Sequence, residues 1–349
     1  MNEIKKNRGA TFNPQNRFVN NNYELLEIEL EENEIKKNQT QFFVDKTKSL
    51  LSKNDSPDIP YQYSLNPYRG CEHGCIYCYA RPTHEYLGFS SGIDFETKIM
   101  VKLDASNLLE KEFQNKNWIP QLIVFSGNTD CYQPIERKLK ITRECLKIFL
   151  KYKNPVSIIT KNALIKRDID ILKELASMNL VSVFVSLTSL KNDLINKMEV
   201  RTSRPQERLE VIQLLAKENI NVGINIAPII PSLNDEEIPS ILKAASEYGA
   251  KFASYVILRL PYSVKDIFEN WLNEEFPERS AKIINKILEM KEGKLNNPNF
   301  FERFQTKGKY IEVIKLLFRM NCQKYGLNKE NFFLRTDLFE RDSYQLKLF

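Results

Sequence analysis

The stretch Ser64-Leu65-Asn66-Pro67-Tyr68-Arg69-Gly70-Cys71-Glu72-His73-Gly74-Cys75-Ile76-Tyr77-Cys78-Tyr79-Ala80 places three cysteines at C-x3-C-x2-C spacing. It offers three thiolates to one centre and withholds a fourth. Iron–sulfur clusters are held by cysteine thiolates. A 4Fe-4S cluster with only three of them keeps one iron open for a small-molecule ligand, and an open position separates a catalytic metal site from a closed structural one. The competing assignment is a structural zinc ion completed by His73 or His84. His73 lies between the first two cysteines, where it is badly placed to reach the same ion. Pro67 sets the turn ahead of the motif, and Gly70 and Gly74 permit close backbone approach to a metal centre.

Working outward, residues 61–65 read as a strand leading into the motif. Further β-prone runs follow at 122–126, 156–160, 181–186, 222–226 and 252–258. Helical patterns lie between them. Residues 136–152 put Leu139, Leu146, Phe149 and Leu150 on one face, and residues 206–218 do the same with Leu209, Ile212 and Leu215. Asn234 with Glu237, and Ser203 with Gln206, have the spacing of capping boxes. This alternation predicts an α/β fold with a parallel sheet and right-handed crossovers. The pattern alone leaves open whether the strands close. The chain divides into an N-terminal extension (1–60), a core (61–260) and a mainly helical segment (261–349). Residues 24–38 read as a short strand or helix with an acidic face, and 52–60 as a turn-rich boundary. Functional groups of parallel α/β barrels collect at the C-terminal ends of the strands, so the cysteines and the loops after the other strands should share one rim.

Composition narrows the class. The chain has 349 residues, 42% hydrophobic and 28% charged, ordinary values for a soluble globular protein. No apolar run is long enough for a membrane helix, and the N-terminus lacks the apolar region of a secretory signal, so a cytoplasmic protein is expected. Six cysteines, three of them clustered and Cys131, Cys145 and Cys322 scattered, do not form a disulfide framework. The net charge of +6 permits an anionic partner without demonstrating one. No Walker-type phosphate loop is present.

The cysteine motif, with Tyr77 just before the third cysteine, resembles the signature of radical SAM enzymes. The longer stretch SLNPYRGCEHGCIYCYARPTHEY (64–86) is similar to their spore photoproduct lyase-like branch. The similarity extends to Arg8-Gly9-Ala10, Asn13-Pro14 and Arg17-Phe18 and to the region around Arg303. The resemblance implies a partial (β/α)6 TIM-like barrel and a 4Fe-4S cluster on Cys71, Cys75 and Cys78. It further implies S-adenosylmethionine (SAM) as cofactor and an electron donor such as a flavodoxin or ferredoxin. One electron from the cluster would cleave SAM to a 5′-deoxyadenosyl radical that abstracts hydrogen from substrate.

The resemblance also suggests a cofactor shell. Ser126, Gly127 and Asn128 would meet the methionyl amino group, against the alternative of an ordinary Gly-Asn turn. Lys161 would pair with the methionyl carboxylate, or else be a solvated lysine. Ser186 would bond a ribose hydroxyl, or cap a turn. Asn225 and the Ala227 backbone end the fifth strand near adenine, with Tyr77 against the same ring. Arg208 either reaches the SAM carboxylate or decorates its helix.

In the lyase branch a tyrosine after the cluster and a cysteine on the second-strand loop return a hydrogen atom. Tyr79 matches the tyrosine. Asn128 stands where the cysteine would be, and Cys131 follows three residues on, as a hydrogen-atom donor or a buried small hydrophobe. Arg81, His84 and Glu85 either face substrate or form a salt-bridged turn. Arg303, Lys307, Lys309 and Arg319, interleaved with Phe304, Tyr310 and Phe318, suit nucleic acid or an amphipathic helix packing inward. A DNA lesion or nucleotide is the implied substrate class. The rivals are a protein or small metabolite as substrate, and a non-catalytic metal-binding module that recognises nucleic acid.

Overall fold

The computed structural model describes residues 8–17, 23–26, 40–296 and 299–341. Phe18 and most of the acidic stretch 24–38 lie outside them. At its described start Leu25 bridges Phe43 in antiparallel fashion.

The strands, numbered in chain order, are β1 (Gln41–Val44), β2 (Leu51–Lys53), β3 (Tyr63–Leu65), β4 (Tyr68–Arg69), β5 (Lys98–Val101), β6 (Ile123–Phe125), β7 (Val156–Thr160), β8 (Val181–Ser186), β9 (Asn221–Ile229) and β10 (Phe252–Ile257). The main sheet runs β10-β9-β8-β7-β6-β3-β2. All its pairs are parallel except the antiparallel β2–β3 edge. Every one of the six strands expected from sequence is present, each beside its successor. β10 and β2 do not pair with each other, so the arc stays open, as in a partial (β/α)6 barrel. A small sheet, β1-β5-β4, packs the chain on either side of the cysteine motif.

Register explains the core. Leu65, Phe125, Ile158, Val183 and Val222 share one row across five strands, and all are fully buried. Burying such side chains contributes about 1.5–3 kcal/mol each. A second apolar cluster joins Ile76 and Tyr77 to Leu260, Phe268, Trp271 and Ile283, so helices Val264–Glu275 and Pro277–Met290 brace the cysteine loop. Helix Lys309–Tyr325 turns Ile311, Ile314, Phe318 and Cys322 inward, so its aromatic and basic pattern is that of an amphipathic helix.

Local expectations changed in three places. The helix expected over 136–152 is two, Glu136–Leu139 and Ile141–Tyr152, because Lys140 is left-handed (φ 54°). Helix Pro205–Lys217 is closed at its start by Glu207 accepting the Arg204 N–H at 2.7 Å, while the Ser203 hydroxyl accepts the Ala163 N–H at 2.8 Å. Asn234 and Glu237 form no capping box. Asn234 donates to the Thr188 and Pro228 carbonyls, and Glu237 accepts from Ser189 and the Leu190 N–H.

The chain after Gly326 crosses the floor of the barrel. Asn328 exchanges hydrogen bonds with both backbone groups of Ala253 on the β10 edge, each 2.8 Å. Farther on, the Arg335 N–H donates to the Asn179 carbonyl, the Glu340 N–H to that of Tyr152, and Arg341 to those of Phe113 and Trp118. No described helix is long and apolar enough to cross a membrane.

Candidate active site

A cavity of about 540 Å³ opens at the C-terminal ends of the parallel strands. Cys71, Cys75 and Cys78 line it together with Tyr77 and Tyr79. Ser126, Gly127 and Asn128 line it after β6, Lys161 after β7, Ser186 at the end of β8, and Asn225 and Ala227 in β9. Cys131, expected from sequence as a hydrogen-atom donor, is not brought there. Its side chain is fully buried in the main core, its N–H donates to the Ser126 hydroxyl at 2.9 Å, and its carbonyl accepts from Thr142 at 2.6 Å.

The cysteine loop is held from behind. Gly70 (φ 80°) and Gly74 (φ 65°) take left-handed conformations that favour glycine. Arg81, fully buried, donates to the Cys75 carbonyl at 2.9 and 3.1 Å and pairs with Glu96 at 2.5 Å. Glu96 also accepts the N–H groups of Gly9 and Ala10 at 2.9 and 2.8 Å. The segment Arg8-Gly9-Ala10, distant in sequence, thus lies against the loop. Glu85 pairs with Arg17, and His84 packs between Phe89 and Phe95. Arg81, His84 and Glu85 are therefore buried supports of the loop and do not line the cavity.

The three cysteines are unbridged. Burial pushes the Cys71 thiol up to about 12 and the Cys75 thiol well above its ordinary value, so thiolates here call for a compensating metal centre. Among the described residues no three His, Cys, Asp or Glu side chains group so as to hold a single ion. In a multi-iron cluster each thiolate binds its own iron, so the three sulfurs need not converge on one point. Neither candidate fourth ligand is available. His73 is engaged by Asp130 (Nδ1–Oδ2 3.4 Å) and Asn162 (Nε2–Nδ2 3.1 Å), and His84 is enclosed by aromatic rings. Burial lowers the His73 imidazole to about 4, against the pull of Asp130.

Two polar side chains shape the rim. The Asn66 Oδ1 accepts the N–H groups of Asn128 and Thr129 at 2.8 and 3.3 Å, turning the loop after β6 toward the cysteines. Ser126 within it is left-handed (φ 90°). Asp130 accepts the Thr160 hydroxyl at 2.8 Å and the Lys161 N–H at 2.7 Å, fixing the end of β7.

Tyr77 donates from its hydroxyl to Glu199, a residue with no sequence signal of its own. Glu199 also accepts from Thr188 at 2.7 Å and pairs with Arg208 at 2.5 Å. Arg208 donates to the Ser186 carbonyl at 2.9 Å. Fully buried, it neither lines the cavity nor decorates a helix surface. Burial works to raise the Glu199 carboxyl, but Arg208 and Lys161 outweigh it and hold it at about 2. The Lys161 ammonium stands over the Tyr77 ring, 6.0 Å from its centre. Tyr79 is half exposed and donates to the Gly127 carbonyl, joining the cysteine loop to the β6 loop.

Residues 65–245 match the model of the Radical SAM superfamily. The chain belongs to that superfamily. It is accordingly a radical SAM enzyme, which uses a 4Fe-4S cluster and SAM and needs an electron donor. An uncharacterized protein of Mycobacterium tuberculosis is 34% identical over 234 residues, 66% of this chain and 69% of its own length. An uncharacterized protein of Methanocaldococcus jannaschii is 29% identical, covering 64% and 80%. Among solved structures, a spore photoproduct lyase variant with bound AdoMet and dinucleoside spore photoproduct matches with a TM-score of 0.60 at 15% identity, covering 86% of this chain and 85% of that one. At that identity the likeness concerns the radical SAM fold alone.

Proposed function

We propose that this radical SAM enzyme binds its cluster on Cys71, Cys75 and Cys78 and its SAM on the strand-end residues of the same cavity, and that it acts on a nucleotide or DNA lesion. When bound, the reduced cluster supplies the electron that cleaves SAM, giving a 5′-deoxyadenosyl radical for hydrogen abstraction. The observation that carries this reading is one continuous cavity. It is lined by the three cysteines, by the polar ends of β6 to β9, and by Tyr61, Arg259 and Phe304.

The chain's own residues divide the work. Lys161 faces the cavity as a cation for the methionyl carboxylate; burial acts against its charge, but Cys75 and Glu199 outweigh that and keep it protonated. Ser126, Gly127 and Asn128 offer the methionyl amino group backbone and side-chain acceptors. Ser186 and Asn225, cross-strand partners, present polar groups to the ribose. Tyr77, anchored by Glu199, and the Ala227 backbone meet adenine. Tyr79, with its hydroxyl on the Gly127 carbonyl, is the residue best placed to return a hydrogen atom to substrate. A flavodoxin or ferredoxin supplies the electron.

The decisive experiment is anaerobic reconstitution with iron and sulfide, reduction by dithionite, addition of SAM and measurement of 5′-deoxyadenosine, alone and with damaged oligonucleotides or nucleotides. Stimulation by a nucleotide-class compound supports the reading. A loaded, reduced enzyme that binds SAM but responds only to a peptide or a non-nucleotide metabolite would redirect the substrate assignment.

A further inference from the structure

Besides the residues of the cofactor shell, the cavity is lined by residues 52–54 and 58–61, Arg259 and Phe304. Charged groups there are unequally satisfied. Arg303 is neutralised: it pairs with Asp58, its Nε donating at 2.7 Å, and it also stacks on Phe300 and Phe304. Arg259 is different. Its guanidinium lies over the Phe304 ring at 4.4 Å, yet among the described residues it makes no hydrogen bond and no ion pair. Its donors are not sealed from solvent and so are open to a ligand.

We propose that Arg259, which lines the cavity, binds a phosphate group of the substrate, with Phe304 as the stacking surface beside it. The inference rests on the radical SAM reading of the cavity and adds the group by which the substrate is recognised. Guanidinium presents a planar fork that matches phosphate bidentately, and stacking on an aromatic ring fixes its plane. Tyr61 and Tyr79 line the same region, giving planar apolar surface for a base, and base–aromatic stacking is tolerant of base identity. The phosphate of a free nucleotide and that of a nucleic-acid strand share this chemistry.

The reconstituted full chain is titrated with uridine, uridine 5′-monophosphate and a short single-stranded oligodeoxynucleotide, and SAM affinity is measured on the same samples. The wild type should prefer the monophosphate over the nucleoside by about 10-fold or more, the scale of a charged hydrogen bond. Arg259→Gln should remove that preference, and Arg259→Lys, which keeps the charge but not the fork, should keep part of it. If the strand is the natural source, the oligonucleotide binds more tightly than the monophosphate. The dependence of its log K on log salt should then fall in slope by about 0.7 in Arg259→Gln. Equal affinity for nucleoside and monophosphate in the wild type, or a preference unchanged in Arg259→Gln, overturns the subsite while intact SAM binding leaves the radical SAM reading standing. Loss of SAM binding in the wild type would instead strike the reading on which the subsite rests.

Discussion

Gly9 sits so close to the carbonyl of Gly74 that a β-carbon on it would come within 1.8 Å of that oxygen. The segment preceding the barrel is therefore packed backbone against backbone on the loop between the first two cysteines. Its N–H joins the same carboxylate that neutralises Arg81.

Gly9→Ala should push the loop out of place. The cost is that of an overpacked site, about 1–3 kcal/mol or more. Iron bound after reconstitution should fall, and the protein should melt earlier. A Gly9→Ala protein with wild-type iron content and melting temperature would show that the contact does not position the loop.

Cysteine substitutions should separate into two classes. Cys71→Ala, Cys75→Ala and Cys78→Ala should each abolish the 4Fe-4S absorption and SAM cleavage. Cys131→Ala should keep the cluster and 5′-deoxyadenosine formation and lose about 1–2 kcal/mol of stability, because it deletes a small buried group. Loss of product turnover in Cys131→Ala, with SAM cleavage preserved, would restore it as a hydrogen-atom donor.

Lys161→Met should weaken SAM binding by about 10–100-fold, the range of a charge-assisted hydrogen bond. Ser186→Ala should have a smaller effect. Calorimetric titration of reconstituted protein measures both; unchanged affinity in Lys161→Met would place the carboxylate elsewhere.

Acid stability should report Glu199. Its carboxyl is held at about 2, below an ordinary value of 4.5, by Arg208 and Lys161 against burial. A depressed acid contributes stability that is present above its unfolded pKa and lost as pH falls through the folded one. The loss should run from about pH 5 to pH 2 and amount to about 3 kcal/mol. Glu199→Gln leaves Arg208 buried without a counter-charge, costs about 3–5 kcal/mol at neutral pH, and should flatten that acid limb. Denaturant titrations across this window compare the two proteins.

Sequence legibility followed the range of the interactions. The strands could be read because buried parallel strands are runs of β-branched residues, as in Val156–Thr160 and Val181–Ser186. The cysteine motif could be read because its ligands lie within one loop. Arg208 could not, since any buried guanidinium demands an acid but nothing local names Glu199 as the one. Lys140 broke a helix whose apolar spacing runs through it unchanged. Cys131 looked close to the rim by residue count, but Ser126 and Asp130 fold the intervening loop so that its side chain enters the core. Asn66 and Asp130, which aim the β6 and β7 loops, act through single side-chain oxygens that leave no periodic trace.

An arc of strands that stops short of closure leaves a hydrogen-bonding edge, and exposed edges invite other chains to add to them. Here Asn328 occupies the backbone of Ala253 on β10, and Phe332 stacks on Phe252 with ring centres 4.3 Å apart. The segment after Gly326 therefore covers part of that edge. A chain cut after Gly326 would keep every residue that lines the cavity, yet would be expected to aggregate through β10.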